Sequence, residues 1–253
     1  MSRGDPMSEQ IMIQGEIEAV AMSEGAGAEV RRLFPTRRQR HVDPFVLLDE
    51  FTVKPTAGFP DHAHGGFEAV TYMLEGAFRH RDDLGNDEIV SAGGVQRFTA
   101  GKRLVHAELP GTGETSHGLQ LWVNLPQRLK EIEPDYQPVP SDEIPEREDD
   151  GVRIRTVVGE GSPVELHTEV RYVDVTVGPE GIFKDRIPAE WNGLVYVLDG
   201  EVALNERKVG RGKALIFRGG GALQAAAQET SRFVLIAGAP HEEPIRQRGS
   251  FVA

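Results

Sequence analysis

Tyr72-Met73-Leu74-Glu75-Gly76-Ala77-Phe78 returns 124 residues later as Tyr196-Val197-Leu198-Asp199-Gly200-Glu201-Val202, in both places a β-forming run that enters a glycine turn. Two related β units are the simplest reading. Other runs of the same kind cover residues 118–123, 170–177 and 232–237, and 29 glycines and 16 prolines supply the turns between them. Amphipathic stretches at helical spacing are scarce. The chain is therefore predicted to be mostly β, built as sandwiches or barrels rather than as an α/β fold.

The repeat also sets expected boundaries. Residues 1–13 show no clear period and are expected to be a loose start, followed by a first unit over 14–125. Residues 126–150 carry five prolines and nine acidic residues and read as a connector. A second unit and a tail are expected over 151–253.

The first unit carries the chemistry. His62-Ala63-His64 and His106-Ala107-Glu108 each place two metal-binding side chains at alternating positions. Along a strand, alternation aims both members of a pair at one face, so three imidazoles and one carboxylate can converge on one ion. A five- or six-coordinate metal held in this way keeps one or two open positions, which suits a reactive site. The repeat offset places Arg186 opposite His62 and Pro188 opposite His64; a second alignment, on Gly94 and Gly212, places Gln224 opposite His106 and Ala226 opposite Glu108. The second unit is thus expected to lack the ligands.

Composition narrows the function. With no cysteine, disulfides, iron–sulfur clusters and thiolate sites are excluded, so any metal must be held by nitrogen and oxygen. A net charge of −12 argues against nucleic acid and anionic membrane, which demand a cationic surface. Neither a membrane span nor a secretory signal is visible, and the expected compartment is the cytoplasm.

Longer runs carry a family resemblance. His41-Val-Asp-Pro-Phe-Val-Leu-Leu-Asp-Glu50, His62-Ala-His-Gly-Gly-Phe-Glu-Ala-Val-Thr-Tyr-Met-Leu-Glu-Gly76, His80-Arg-Asp-Asp-Leu-Gly85, Thr99-Ala-Gly101 through His106-Ala-Glu108, and His117-Gly-Leu-Gln-Leu-Trp-Val-Asn-Leu125 resemble the pirins, two-barrel members of the cupin superfamily. The resemblance implies two tandem cupin-type jelly-roll barrels and one divalent metal held by His62, His64, His106 and Glu108. Iron is the expected metal, with manganese, nickel, cobalt, copper and zinc as alternatives. Quercetin 2,3-dioxygenase-type chemistry is implied, with Glu108 accepting the hydroxyl proton of a flavonol-like chelating enol. The other implied reading is a redox-sensitive regulator that acts on a protein partner, and in either role the chain is expected to be a monomer.

Several residues are set aside. Glu68 lies one position off the register of a ligand, which reverses its face, so it is expected near the site or at the surface. His41 and His117 are read as structural, and Trp122 and Trp191 as core or cavity-wall aromatics. His80-Arg-Asp-Asp83 is read as a charged β-turn and Arg37-Arg-Gln-Arg40 as a solvated or ion-paired loop. Gly65, where relatives often carry Arg, and the Lys102-Arg103 pair are departures from the family pattern.

Overall fold

Tyr72 and Tyr196 are both fully buried in central strands, and the glycines that end their runs, Gly76 and Gly200, both take positive φ (69° and 77°). A Cβ at Gly76 would meet the Thr115 carbonyl at 2.5 Å, and at Gly200 the Ser231 hydroxyl at 2.2 Å, so both turns demand glycine. This computed structural model describes residues 10–253, among which the only helices are two single 3₁₀ turns.

The chain divides into two compact units. One comprises 19–144, 161–168 and 241–253. Its large sheet runs in the order Asp135–Val139, Val95–Thr99, Phe67–Glu75, Ser116–Asn124, Phe45–Val53, Ala28–Phe34 and Val20–Glu24; its small sheet runs Phe59–His64, Leu104–Pro110, Ala77–Asp82 and Asp87–Ser91. The other comprises residues up to Glu18, 145–160 and 169–240. It repeats the plan with a seven-stranded sheet (Met12–Glu18, Lys213–Arg218, Asn192–Asp199, Ser231–Gly238, Val170–Val177, Val152–Val158, Glu146–Asp149) and a four-stranded one (Ile182–Ile187, Gly221–Ala226, Glu201–Leu204, Arg207–Gly210). Both units are cupin-type barrels, as the repeat and the resemblance implied.

The boundaries differ from the sequence expectation at four places. Met12 and Ile13, expected in a loose start, belong to strand Met12–Glu18, which pairs with Lys213–Arg218 in the C-terminal unit; residues 1–9 lie outside the described part. The same strand takes Gln14–Glu18 out of the predicted first unit. The predicted connector is not a spacer, because Asp135–Val139 pairs with Val95–Thr99 and Glu146–Asp149 pairs with Val152–Val158. Pro138 is tolerated in the first of these because the strand is an edge and needs only one ladder of N–H groups. Finally, residues 161–168 and 241–253, expected in the second unit, join the first. Edge positions are open to whichever segment brings complementary side chains, and nothing local in a strand names its neighbour.

The two interiors are filled differently. The C-terminal barrel holds one apolar core that includes Val175, Phe183, Val195, Leu215, Phe217, Leu223 and Phe233. Among the described residues, the apolar clusters of the N-terminal barrel include a smaller one around Phe67, Phe98 and Trp122 and another around Phe51, Met73 and Phe78. Its other buried positions include His64, Thr71, His80, His106 and Glu108. Buried polar groups on this scale need partners or a ligand.

Candidate metal centre

His62 lies directly across the ladder from His106, and the next pairs place Asp82 opposite His106 and His80 opposite Glu108. Directly paired residues share a face, so the small sheet turns all five toward one side. The pairing shifts between His106 and Glu108, where Glu108 stands opposite Phe59, so one extra residue in the Pro60-Asp61 stretch is accommodated by a bulge.

The imidazoles of His62, His64 and His106 offer nitrogens that all lie within 4.8 Å of one another. His62 Nδ1 donates to the Pro60 carbonyl at 2.8 Å and His64 Nδ1 to the Ser250 carbonyl at 3.3 Å. Each bond leaves Nε2 with a free lone pair, as where a metal-bound histidine donates its other ring N–H to a backbone carbonyl. His106 Nε2 is buried and has no hydrogen-bond partner in the protein. Burial and the neighbouring His62 hold His64 down to about 3, and burial with the adjacent imidazoles holds His106 well below its ordinary range. Convergence, free lone pairs and the depressed basicity of His64 and His106 fit a divalent cation.

Glu108 stands beside His106. Its carboxylate accepts hydrogen bonds from Gln120 Nε2 at 2.9 Å and Thr71 Oγ1 at 3.3 Å, and Gln120 Oε1 in turn accepts from Trp122 Nε1 at 3.1 Å. Burial raises Glu108 to about 7, against the lowering effect of these two donors. It shares a second cluster of ligand atoms with His80 and His106. A cavity of about 610 Å³ reaches His62, His64, Glu108 and Gln120, and Phe51, Phe59 and Trp122 supply its apolar walls. That volume lies in the range of roughly 300–1,000 Å³ usual for small-molecule sites.

The Pirin family model matches residues 27–123, and the Pirin C-terminal cupin domain model matches 172–253. A pirin-like protein of Solanum lycopersicum is 40% identical over 100% of this chain and 90% of its own length. Human pirin is 39% identical over 91% of the chain and 83% of its own. This chain belongs to the pirin family. Its barrels also superpose on a quercetin 2,3-dioxygenase from Acinetobacter baumannii with a TM-score of 0.88 at 28% identity, covering 96% of this chain and 92% of that one.

Within this pirin, the unused positions fall as the register dictates. Glu68 faces away from Thr71 and Glu108; it is fully buried, accepting from Thr99 Oγ1 at 3.0 Å and from the backbone N–H and Nδ1 of His167 at 2.9 Å each. It anchors residues 161–168 and is not a surface residue. His117 pairs with Glu50, and Trp122 lines the cavity. Lys102 pairs with Glu133 and Arg103 lies 3.8 Å from Asp83, both away from the cavity. Arg37, Arg38 and Arg40 are exposed in a loop closed by Thr36 and Gln39.

Two sequence readings need correction. His80-Arg-Asp-Asp83 does lead into a turn, with the Asp82 carboxylate accepting the Leu84 and Asn86 N–H groups, but the side chains of His80 and Asp82 are completely buried beside the ligands. The missed signal is spacing, since His80-x-Asp82 alternates like the two ligand pairs. In the C-terminal barrel, Arg186, Pro188 and Gln224 are exposed, and the inward residues are Phe183, Ile187, Leu223 and Ala225. The offset alignment selected the outer face. The expected lack of a histidine set there still follows, because these inward positions are apolar.

Proposed function

We propose that this pirin is a metal-dependent dioxygenase of the quercetin 2,3-dioxygenase type, acting on a flavonol or similar chelating enol. The observation that carries the reading is His106, whose buried Nε2 has no partner and whose ring converges with those of His62 and His64, while a walled cavity reaches His62, His64 and Glu108. The likeness to the Acinetobacter dioxygenase supports the same chemistry.

His62, His64 and His106 would hold the ion, with Glu108 as the carboxylate ligand; iron is the metal we favour. A divalent ion bound there supplies Lewis acidity that makes a chelated hydroxyl more acidic, together with a redox-active centre for reaction with O₂. The chain's own residues do the rest. Phe51, Phe59 and Trp122 accept a flat aromatic substrate and keep water from the reacting edge. Glu108, poised at about 7, takes the hydroxyl proton, and Gln120 and Thr71 hold its oxygens in place while it does so. An open cavity of this size favours an enzyme over a regulator, in which a closed site would suffice.

The test is aerobic incubation of the metal-loaded protein with a flavonol. Loss of the long-wavelength flavonol absorbance is expected with at least one of iron, manganese, nickel, cobalt or copper, and its absence with all five would overturn the proposal.

A further inference from the structure

We propose that His80 and Asp82 are positioning residues that set the tautomer of His106, so that its Nε2 lone pair is always the one offered to the metal. This rests on the reading of His106 as a ligand and goes beyond it by assigning the groups behind that ligand.

Asp82 Oδ1 accepts from Leu84 N and Asn86 N at 3.0 Å each, and Oδ2 accepts from Asn86 Nδ2 at 2.8 Å. The remaining contact of Oδ2, at 3.0 Å, is His80 Nε2. An ionised carboxylate can only accept, so His80 Nε2 carries the proton and, in the neutral ring, His80 Nδ1 is bare. That bare nitrogen lies 3.3 Å from His106 Nδ1. Only one proton fits between two Nδ1 atoms, so His106 Nδ1 donates it and His106 Nε2 is left bare. The same Nε2 is the buried atom without a partner.

The relay is rigid. The side chains of His80 and Asp82 have no exposed surface, and the His80 ring stacks on Tyr136 with centroids 4.0 Å apart and planes 9° apart. A ligand imidazole backed by a fixed acceptor is more basic and better aimed than a free one, which is how outer partners strengthen metal sites.

Two experiments on the full chain test this. In ¹⁵N-histidine NMR spectra of the metal-free protein, His106 is expected to be protonated at Nδ1 and His80 at Nε2; a proton on His106 Nε2 or on His80 Nδ1 would overturn the proposal. The second is zinc competition against a colorimetric chelator. His80→Phe keeps the stack on Tyr136 but removes the acceptor, and its zinc affinity is expected to fall about ten- to a hundredfold. His80→Gln restores an acceptor oxygen and is expected to recover most of that loss. Wild-type affinity in His80→Phe, or an equal loss in both variants, would refute the relay. A wild type that binds no zinc would count against the metal reading, and the tautomer spectrum would still decide the relay.

Discussion

His62 faces His106 across an antiparallel ladder with ring centroids 4.5 Å apart, although 44 residues separate them in the chain. Their approach is a product of strand pairing, and it makes each imidazole a support for the other's role. His106→Ala is expected to lower bound metal to background, by at least about a hundredfold in affinity, and His62→Ala to lower it strongly. Gln224→Ala in the C-terminal barrel should leave metal content unchanged. Metal analysis of protein purified without a chelating column reads all three; full metal content in His106→Ala would refute the assignment.

Glu108 is raised by burial and held back by the two donors that Gln120 and Thr71 provide. Gln120→Leu removes the stronger of these, so the carboxyl should move further up from about 7. If Glu108 is the base, activity rises with pH as it ionises, and the acidic limb of the pH–rate profile should shift to higher pH in Gln120→Leu. An unmoved limb would assign the base elsewhere.

Glu68 and His167 offer a pH test of stability. The hydrogen bond to Glu68 is the main cause that raises His167 above its ordinary 6.5, with Glu68's charge adding to it. A raised histidine stabilises the folded state fully below pH 6.5, and that contribution is lost as pH rises through the folded value. Urea midpoints measured from pH 5.5 to 8.5 should therefore decline more in the wild type than in His167→Gln. Glu68→Ala, which leaves Thr99 and His167 without their buried acceptor, is expected to cost about 1–3 kcal/mol at neutral pH.

Gly65 and Gly66 should respond very differently to alanine. A Cβ at Gly65 would lie 2.8 Å from the Phe251 ring, which is 43% exposed and can swing aside. A Cβ at Gly66, where φ is +83°, would lie 1.8 Å from the Val252 carbonyl, a backbone atom tied to Lys130 Nζ at 3.1 Å. Gly66→Ala is expected to cost more than about 2 kcal/mol and Gly65→Ala less than about 1 kcal/mol. Gly65→Arg, which inserts a long cationic side chain, should push Phe251 away and with it the Ser250 carbonyl that receives His64 Nδ1. Thermal melts and zinc titration would record the two effects; equal melting temperatures for the two alanine variants would contradict this packing.

Alternation with period two is a local property of an extended chain, and it was enough to pair His62 with His64 and His106 with Glu108, to set Glu68 on the opposite face, and to count two β units from Tyr72 and Tyr196. The same property could have singled out His80 and Asp82, which the turn residues beside them obscured. It could not name neighbours. That Met12–Glu18 serves the C-terminal sheet, that Ser250 backs His64, and that the inner face of the second barrel is apolar were all decided by tertiary structure. The reason is physical: a strand's side chains know their own two faces, but which face is buried and which edge is filled depends on segments far away in the chain, brought together only when the barrel closes.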